Sequence, residues 1–157
     1  MPNSAENELW GEYDQNIDDK GRLVLPMDLR APLSDEFVIT KSLDQALWIL
    51  PVAQWNEIYE EIKPGAPRTA RREFLLRQHG GRSFAKTDAQ FRITLPKHFR
   101  DYAGVNTDNR MVLVGQGDRV ELWGKDVWDK YNKRVLRSEI NRISETVKDS
   151  DVPGSGA

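Results

Sequence analysis

Asp18-Asp19-Lys20-Gly21-Arg22-Leu23-Val24-Leu25-Pro26-Met27-Asp28-Leu29-Arg30 returns seventy residues later as Asp88-Ala89-Gln90-Phe91-Arg92-Ile93-Thr94-Leu95-Pro96-Lys97-His98-Phe99-Arg100. Five of the thirteen positions are identical, and Leu23/Ile93 and Leu29/Phe99 keep apolar character. Self-similarity at a fixed offset marks one supersecondary unit used twice, so two like units packed about a pseudo-twofold axis are expected.

Each copy has a physical grammar. Glu12 to Ile17 leads into a turn at Asp18-Asp19-Lys20-Gly21, and Arg22 to Leu25 alternates around Leu23 and Leu25, which reads as a β-hairpin. Gly21 supplies the positive φ that such a loop needs. Pro26 lacks a backbone donor, which a strand interior would miss and the first turn of a helix would not. The unit is therefore strand, loop, strand and short helix, with Leu29 on the buried side. In the second copy Phe91 takes the place of Gly21, so a local difference in that loop is expected.

Working outward, Phe37 to Thr40 and Met111 to Val114 read as strands, with Ala46 to Leu50 and Val120 to Trp123 as hairpin partners. Trp55 and Trp128 fall in the helices that follow, the first opened by Pro51 and striped by Val52, Trp55, Ile58, Tyr59 and Ile62. Between the repeats, Pro64-Gly65-Ala66-Pro67 breaks the chain. Thr69 to Gln78 then reads as a helix with Phe74 and Leu75 or Leu76 inward, stopped by Gly80-Gly81. Asp126 to Val147 is a long helical candidate whose stripe of Leu136, Ile140, Ile143 and Val147 needs a covering surface, either the chain's own core or a neighbouring subunit. The expected organisation is a flexible N-terminus (1–9), a first repeat (10–63), a linker with a basic helix (64–81), a second repeat with the C-terminal helix (82–147) and a disordered tail (148–157).

The chain has 157 residues, 38% of them hydrophobic, enough for one modest core or two small halves sharing one. It has no cysteine, which excludes disulfides and thiolate metal sites and agrees with a reducing cytoplasm. No apolar run approaches the length of a membrane span, and Met1 to Glu8 is polar and acidic, unlike a secretory signal. The near-neutral total conceals a divided charge. Residues 1–62 carry 4 Lys+Arg against 13 Asp+Glu, while residues 63–100 carry 10 against 2. That basic centre comprises Lys63, Arg68, Arg71, Arg72, Arg77, Arg82, Lys86, Arg92, Lys97 and Arg100. It fits either a solvated helix face or a footprint for nucleic-acid phosphates.

Enzymatic chemistry is not indicated. The two histidines, His79 and His98, have no partners at metal-ligand spacing. Gly115-Gln116-Gly117-Asp118 lies between two strands and reads as a hairpin loop rather than a dinucleotide site. No phosphate-binding loop or nucleophile elbow is present, and neither a catalytic residue, a metal nor a cofactor is expected. What remains is the Asp and Arg of each repeat. Asp18 with Arg22, and Asp88 with Arg92, flank the same loop closely enough to pair. Such a pair is either a staple of about 0 to 1 kcal/mol or a carboxylate that orients a guanidinium toward phosphate or a guanine edge.

The doubled Asp-Arg motif followed by Leu-Pro and a short helix, the intervening Arg-rich helix ending in Gly80-Gly81, and the overall size resemble the MraZ family of bacterial transcriptional regulators, from about Trp10 to about Ile143. That resemblance implies an α+β fold, a double swapped-hairpin β-barrel like that of AbrB-type regulators, with a pseudo-twofold internal repeat and peripheral helices. It implies a cytoplasmic, nucleoid-associated protein that binds double-stranded DNA. Such a protein would form a homo-oligomeric ring and repress the division and cell-wall gene cluster from tandem repeats at its own operon promoter. Carried over residue by residue, Asp18, Arg22, Asp88 and Arg92 become DNA-recognition positions and Lys20 a phosphate contact. Arg72, in the basic centre, is a further expected phosphate contact. The alternative from a different class is a ring-forming interaction protein whose Asp-Arg motifs only stabilise loops and subunit contacts.

Overall fold

A computed structural model describes residues 8–105 and 108–150, with residues 148–150 described as backbone only. The first repeat contains β1 (Glu12–Asn16), β2 (Arg22–Val24), α1 (Met27–Leu33), β3 (Glu36–Lys41), β4 (Leu47–Pro51) and α2 (Val52–Ile62). Helix α3 (Ala70–His79) crosses to the second, made of β5 (Ser83–Lys86), β6 (Arg92–Thr94), α4 (Lys97–Tyr102), β7 (Arg110–Gly115), β8 (Val120–Gly124) and α5 (Lys125–Tyr131). A π-helical turn, Asn132–Leu136, joins α5 to α6 (Arg137–Ser150), which runs into the stretch expected to be a tail; residues 151–157 lie outside the described residues. The chain is thus mixed α+β, built from two like repeats.

The strands lie in two antiparallel sheets, one of six strands in the order β1-β7-β8-β4-β3-β5 and one of two, β2-β6. The expected closed barrel is therefore not formed. Strands β1 and β5 are free edges of the large sheet, and the three-residue strands β2 and β6 pair only with each other. Pro26 and Pro96 cut these strands short, because each lacks an N–H for a longer ladder. Both prolines then start helices, their carbonyls accepting from Leu29 and Phe99 N–H at 3.0 Å. The expected β1–β2 hairpin also requires correction. β1 pairs with β7, setting Asp14 opposite Val112, while its counterpart β5 pairs with β3, setting Phe84 opposite Val38. Each repeat hands its first strand to the other.

The symmetry can be located residue by residue. Leu23 faces Ile93 in the small ribbon, and Trp48 faces Glu121 where β4 meets β8. Both pairs join positions that are equivalent in the two repeats, so the pseudo-twofold axis passes through both. The main core fills the space between them, with Leu23, Leu25, Leu29 and Leu33 meeting Ile93, Leu95, Phe99 and Ala103 over Phe37, Ile39, Met111 and Leu113. Burying each large apolar side chain contributes roughly 1.5–3 kcal/mol, far more in total than the exposed ion pairs. Leu9, expected in a flexible N-terminus, belongs to this core. It is 1% exposed, and its backbone bridges to Gly117. Gly115 permits that approach, since a Cβ there would lie 2.5 Å from the Leu9 carbonyl oxygen.

A second, smaller core joins Val38, Leu50, Trp55, Ile62 and Leu75 beneath α2 and α3. Helix α3 starts at Thr69, whose side chain accepts from Arg72 N–H at 2.9 Å. Its inward residue is Leu75, with Leu76 half-buried against the same cluster. Phe74 is instead exposed, because one step along a helix turns it about 100° away. In the second repeat Trp128 and Tyr131 of α5 pack against the buried Trp123 ring, 5.3 and 4.8 Å between centroids, whereas farther along Leu136, Ile140, Ile143 and Val147 are each about half exposed. That stripe does not cover the chain's own core. Among the described residues no helix is long and apolar enough to cross a membrane.

His79 closes the second core. It is 1% exposed, lies between the Trp48 and Trp55 rings, and sits 3.0 Å through Nδ1 from the Thr40 hydroxyl. Burial, helped by the nearby Arg119 charge, lowers its pKa to about 4. Between that value and the ordinary 6.5, the unfolded chain takes up a proton that the folded chain refuses, so stability falls as pH drops through this window. Urea unfolding from pH 7 to pH 5 should show this loss, with a slope of at most about 1.4 kcal/mol per pH unit from this one group. His79→Gln should flatten the profile. An unchanged slope in that variant would mean that other groups carry the dependence.

Candidate nucleic-acid interface

The two Asp-Arg loops are the same structure built twice. In the first, Asp18 N–H donates to the Arg22 carbonyl at 2.8 Å and Gly21 N–H donates to the Asp18 carbonyl at 3.0 Å. Asp18 Oδ1 accepts from the Lys20 and Arg22 backbone N–H groups, both at 2.9 Å, and Oδ2 accepts from Arg22 Nε at 2.8 Å. In the second, Asp88 Oδ1 accepts from Gln90 and Arg92 N–H at 2.9 Å, and Oδ2 accepts from Arg92 Nε at 2.7 Å. The arginine side chains are 29% and 28% exposed, which makes the two copies equivalent in setting as well as in bonding.

The expected local difference at Phe91 does not arise. Phe91 takes φ +58° and repeats the Gly21 hydrogen bond, its N–H donating to Asp88 O at 3.0 Å. Gly21 has φ +80°, and a Cβ there would lie 2.9 Å from the Leu95 carbonyl oxygen. The smaller angle at Phe91 falls near the centre of the left-handed well, where a side chain is tolerated at some cost. The ring turns outward, 43% exposed, and the Arg30 guanidinium lies 4.2 Å from its centroid. Arg30 also donates through Nε to the Leu25 carbonyl at 2.9 Å. Its counterpart Arg100 lies beside Gly21. Sequence reasoning did not single out these arginines as loop supports, although they are the last identical position of the repeat.

Each loop is braced by the opposite repeat. Leu95 N–H donates to Gly21 O at 2.7 Å, and Leu25 N–H donates to Phe91 O at 2.8 Å. The ribbon between the loops turns Leu23 and Ile93 inward, and Arg22, Val24, Arg92 and Thr94 outward. Arg22 lies opposite Thr94, and Arg92 opposite Val24. The two arginines are therefore diagonal neighbours on one face, a relation that places Cα atoms about 7–8 Å apart.

Electrostatics fixes the state of these groups. The backbone N–H groups of Arg22 and Arg92 hold the Asp18 and Asp88 carboxyls below the usual carboxylate range; burial opposes that shift, and the guanidinium groups and the Lys20 and Gln90 N–H groups add to it. Both acids are ionised at neutral pH. Each uses its partner's Nε, leaving the Nη donors of Arg22 and Arg92 without a protein partner among the described residues. A guanidinium held this way can offer a two-pronged contact to a guanine edge or a phosphate. A two-stranded ribbon also has the width of element that a major groove admits.

The remaining expected contacts are distributed differently. Lys20 is exposed at the tip of the first loop, where the second has Gln90. Arg72 is on α3 rather than on the ribbon, only 13% exposed, with Nη1 3.3 Å from Glu73 Oε1. Other members of the basic centre are paired as well: Lys63 with Glu60, Arg71 with Glu61 and Lys97 with Asp101. The centre is thus partly neutralised by its neighbours. Among the described residues, no three His, Cys, Asp or Glu side chains form a group able to hold a metal ion.

Residues 9–77 and 80–150 match the family model described as "MraZ protein, putative antitoxin-like". The chain is 37% identical over 142 residues to a Transcriptional regulator MraZ of Desulforamulus reducens, covering 90% of this chain and 98% of that protein. It is 36% identical over 145 residues to the protein of that name from Heliobacterium modesticaldum, covering 92% and 99%. A third, from Carboxydothermus hydrogenoformans, is 38% identical over 125 residues, covering 78% and 85%.

The loop geometry gives opposite expectations for the two equivalent positions. Phe91→Gly removes a left-handed residue costing roughly 1–2 kcal/mol, but loses a cation–π contact of about 0.5–1 kcal/mol and adds chain entropy of similar size. Its stability in urea should remain within about 1 kcal/mol of wild type. Gly21→Ala should destabilise by more than the backbone penalty of about 1–2 kcal/mol, because the new Cβ meets the Leu95 carbonyl. A large loss for Phe91→Gly, or none for Gly21→Ala, would contradict this description.

Proposed function

The chain belongs to the MraZ family of transcriptional regulators, and from that membership we propose that it reads DNA sequence through the outer face of the β2·β6 ribbon. The observation that carries this reading is the pair of Asp-oriented guanidinium groups, Arg22 and Arg92, presented in matching geometry on one face. Asp18 and Asp88 set the direction of each guanidinium, and Arg22 and Arg92 contact base edges or phosphates. Lys20 adds a phosphate contact beside the first loop. Arg72 is not included in this contact set, because it packs at the α2–α3 junction.

Each chain offers few base-reading groups, so useful affinity requires several chains on tandem sites. The proposed assembly is a homo-oligomeric ring, closed by head-to-tail contacts that the exposed α6 stripe can supply. In this reading the protein acts in the cytoplasm on the nucleoid. It represses the division and cell-wall gene cluster from the promoter of its own operon.

A second reading is supported by the loop hydrogen bonds themselves. Asp18 and Asp88 already accept two backbone N–H groups each, which is what a structural staple would do in a ring-forming interaction protein. Fluorescence anisotropy against the gene's own upstream DNA and a scrambled duplex, over a salt series, separates the two. Arg22→Ala should lose the preference for the upstream duplex while the fold persists, and Arg92→Ala should do likewise. Lys20→Ala should weaken binding to both duplexes and reduce the salt slope by about one unit. Equal binding of the upstream duplex by wild type and Arg22→Ala would favour the staple.

A further inference from the structure

Away from the ribbon, α2 and α3 enclose a cleft of about 310 Å³, near the lower end of the range of about 300–1,000 Å³ for small-molecule sites. Trp55, Tyr59, Ile62 and Leu76 form its apolar walls, and Arg72, His79 and Arg82 supply its polar groups. No carboxylate lines it. Arg82 lies over the Trp55 and Phe84 rings, 5.3 and 5.4 Å from their centroids, with no ion-pair partner among the described residues. The lining is apolar and cationic at once.

Two atoms of residues in this lining, Arg72 Nε and His79 Nε2, are closed to solvent and have no hydrogen-bond partner among the described residues. Their roles follow from the neighbouring bonds. Thr40 Oγ1 lies 3.2 Å from the Gln78 carbonyl and 3.0 Å from His79 Nδ1. A carbonyl can only accept, so the single hydroxyl proton goes to Gln78 O. The hydroxyl oxygen then accepts from Nδ1–H, and Nε2 of the neutral ring keeps a bare lone pair. Behind the cleft wall there is therefore an unused acceptor at His79 Nε2 and an unused donor at Arg72 Nε, the Nη groups of Arg72 already meeting Glu73 and the Lys63 carbonyl, while Arg82 is the exposed cation of the lining. Buried polar groups are normally paired, and unpaired ones in a concave apolar site mark a place for a ligand.

We propose that this cleft binds a small organic anion: an apolar, preferably aromatic body of modest size, an anionic group for Arg82, and an N–H or O–H donor that reaches His79 Nε2 as the wall of the cleft opens. The body packs against Tyr59 and Leu76, the accessible apolar walls, since Trp55 is buried. The site lies at the root of β5, the strand that leads from Gly80-Gly81 to the second Asp-Arg loop, and it requires no DNA for occupancy.

Indole-3-propionate has these three features and serves as the probe, with binding followed by calorimetry and by methyl NMR on the full chain. Saturable binding of one molecule per chain is expected, with shifts at the Ile62 and Leu76 methyls. Replacing the carboxylate by an alcohol, methylating the indole nitrogen, or changing Arg82→Gln should each weaken it about tenfold, corresponding to about 1.4 kcal/mol. Leu76→Trp should fill the cleft and abolish binding. Should that variant fail to fold, Arg82→Gln and the two modified probes still decide the matter. Absence of saturable binding at millimolar probe would overturn the proposal. So would shifts confined to Leu136, Ile140 and Ile143, or equal affinity for the acid and the alcohol.

Discussion

The structure depends on the contact between Leu23 and Ile93. These residues lie on the pseudo-twofold axis, face each other in the shortest sheet of the molecule and are both buried. Around them the chain closes reciprocally, as Leu95 N–H reaches Gly21 O and Leu25 N–H reaches Phe91 O. Neither loop is completed by its own repeat. Exchange of the first strands, β1 to β7 and β5 to β3, extends the same dependence across the large sheet. Neither half contains the pairing partners it needs to form its native sheet.

That constraint connects fold to function. A loop-tip arginine on a flexible hairpin would lose much of its binding energy to ordering. Here the carboxylate fixes the guanidinium, the opposite repeat fixes the loop, and the core beneath Leu23 and Ile93 fixes the ribbon. The two arginines consequently have a set separation and a shared outward face. Net charge plays a smaller part, since the basic centre of residues 63–100 draws on acids in α2, α3 and α4 for partners.

Much of this was legible in the sequence because local signals carried it. The repeated motif located the loops and the ribbon strands, Pro26 and Pro96 marked the change from strand to helix, and Asp18/Arg22 and Asp88/Arg92 proved to be bonded pairs. The partner of a strand is a nonlocal property. Alternation in Glu12 to Ile17 reads equally well for a hairpin with β2 and for a ladder on β7, and nothing local revealed that β2 and β6 would stay outside the main sheet. Phe91 misled because glycine is the usual residue at positive φ, while the stacking of Arg30 on its ring depends on tertiary placement. Arg72 looked like one more cation in a basic run, and His79 like a solitary histidine. Their burial arises only when α3 folds onto α2.

Native-state hydrogen exchange at the Leu25 and Leu95 amides tests the reciprocal bracing most directly. Both amides should open with the same free energy, close to that of global unfolding, because neither cross-repeat bond can break while the ribbon remains intact. Exchange of one amide through a low-energy local opening, with the other still protected at the global level, would show that the two loops are independent and would contradict the account.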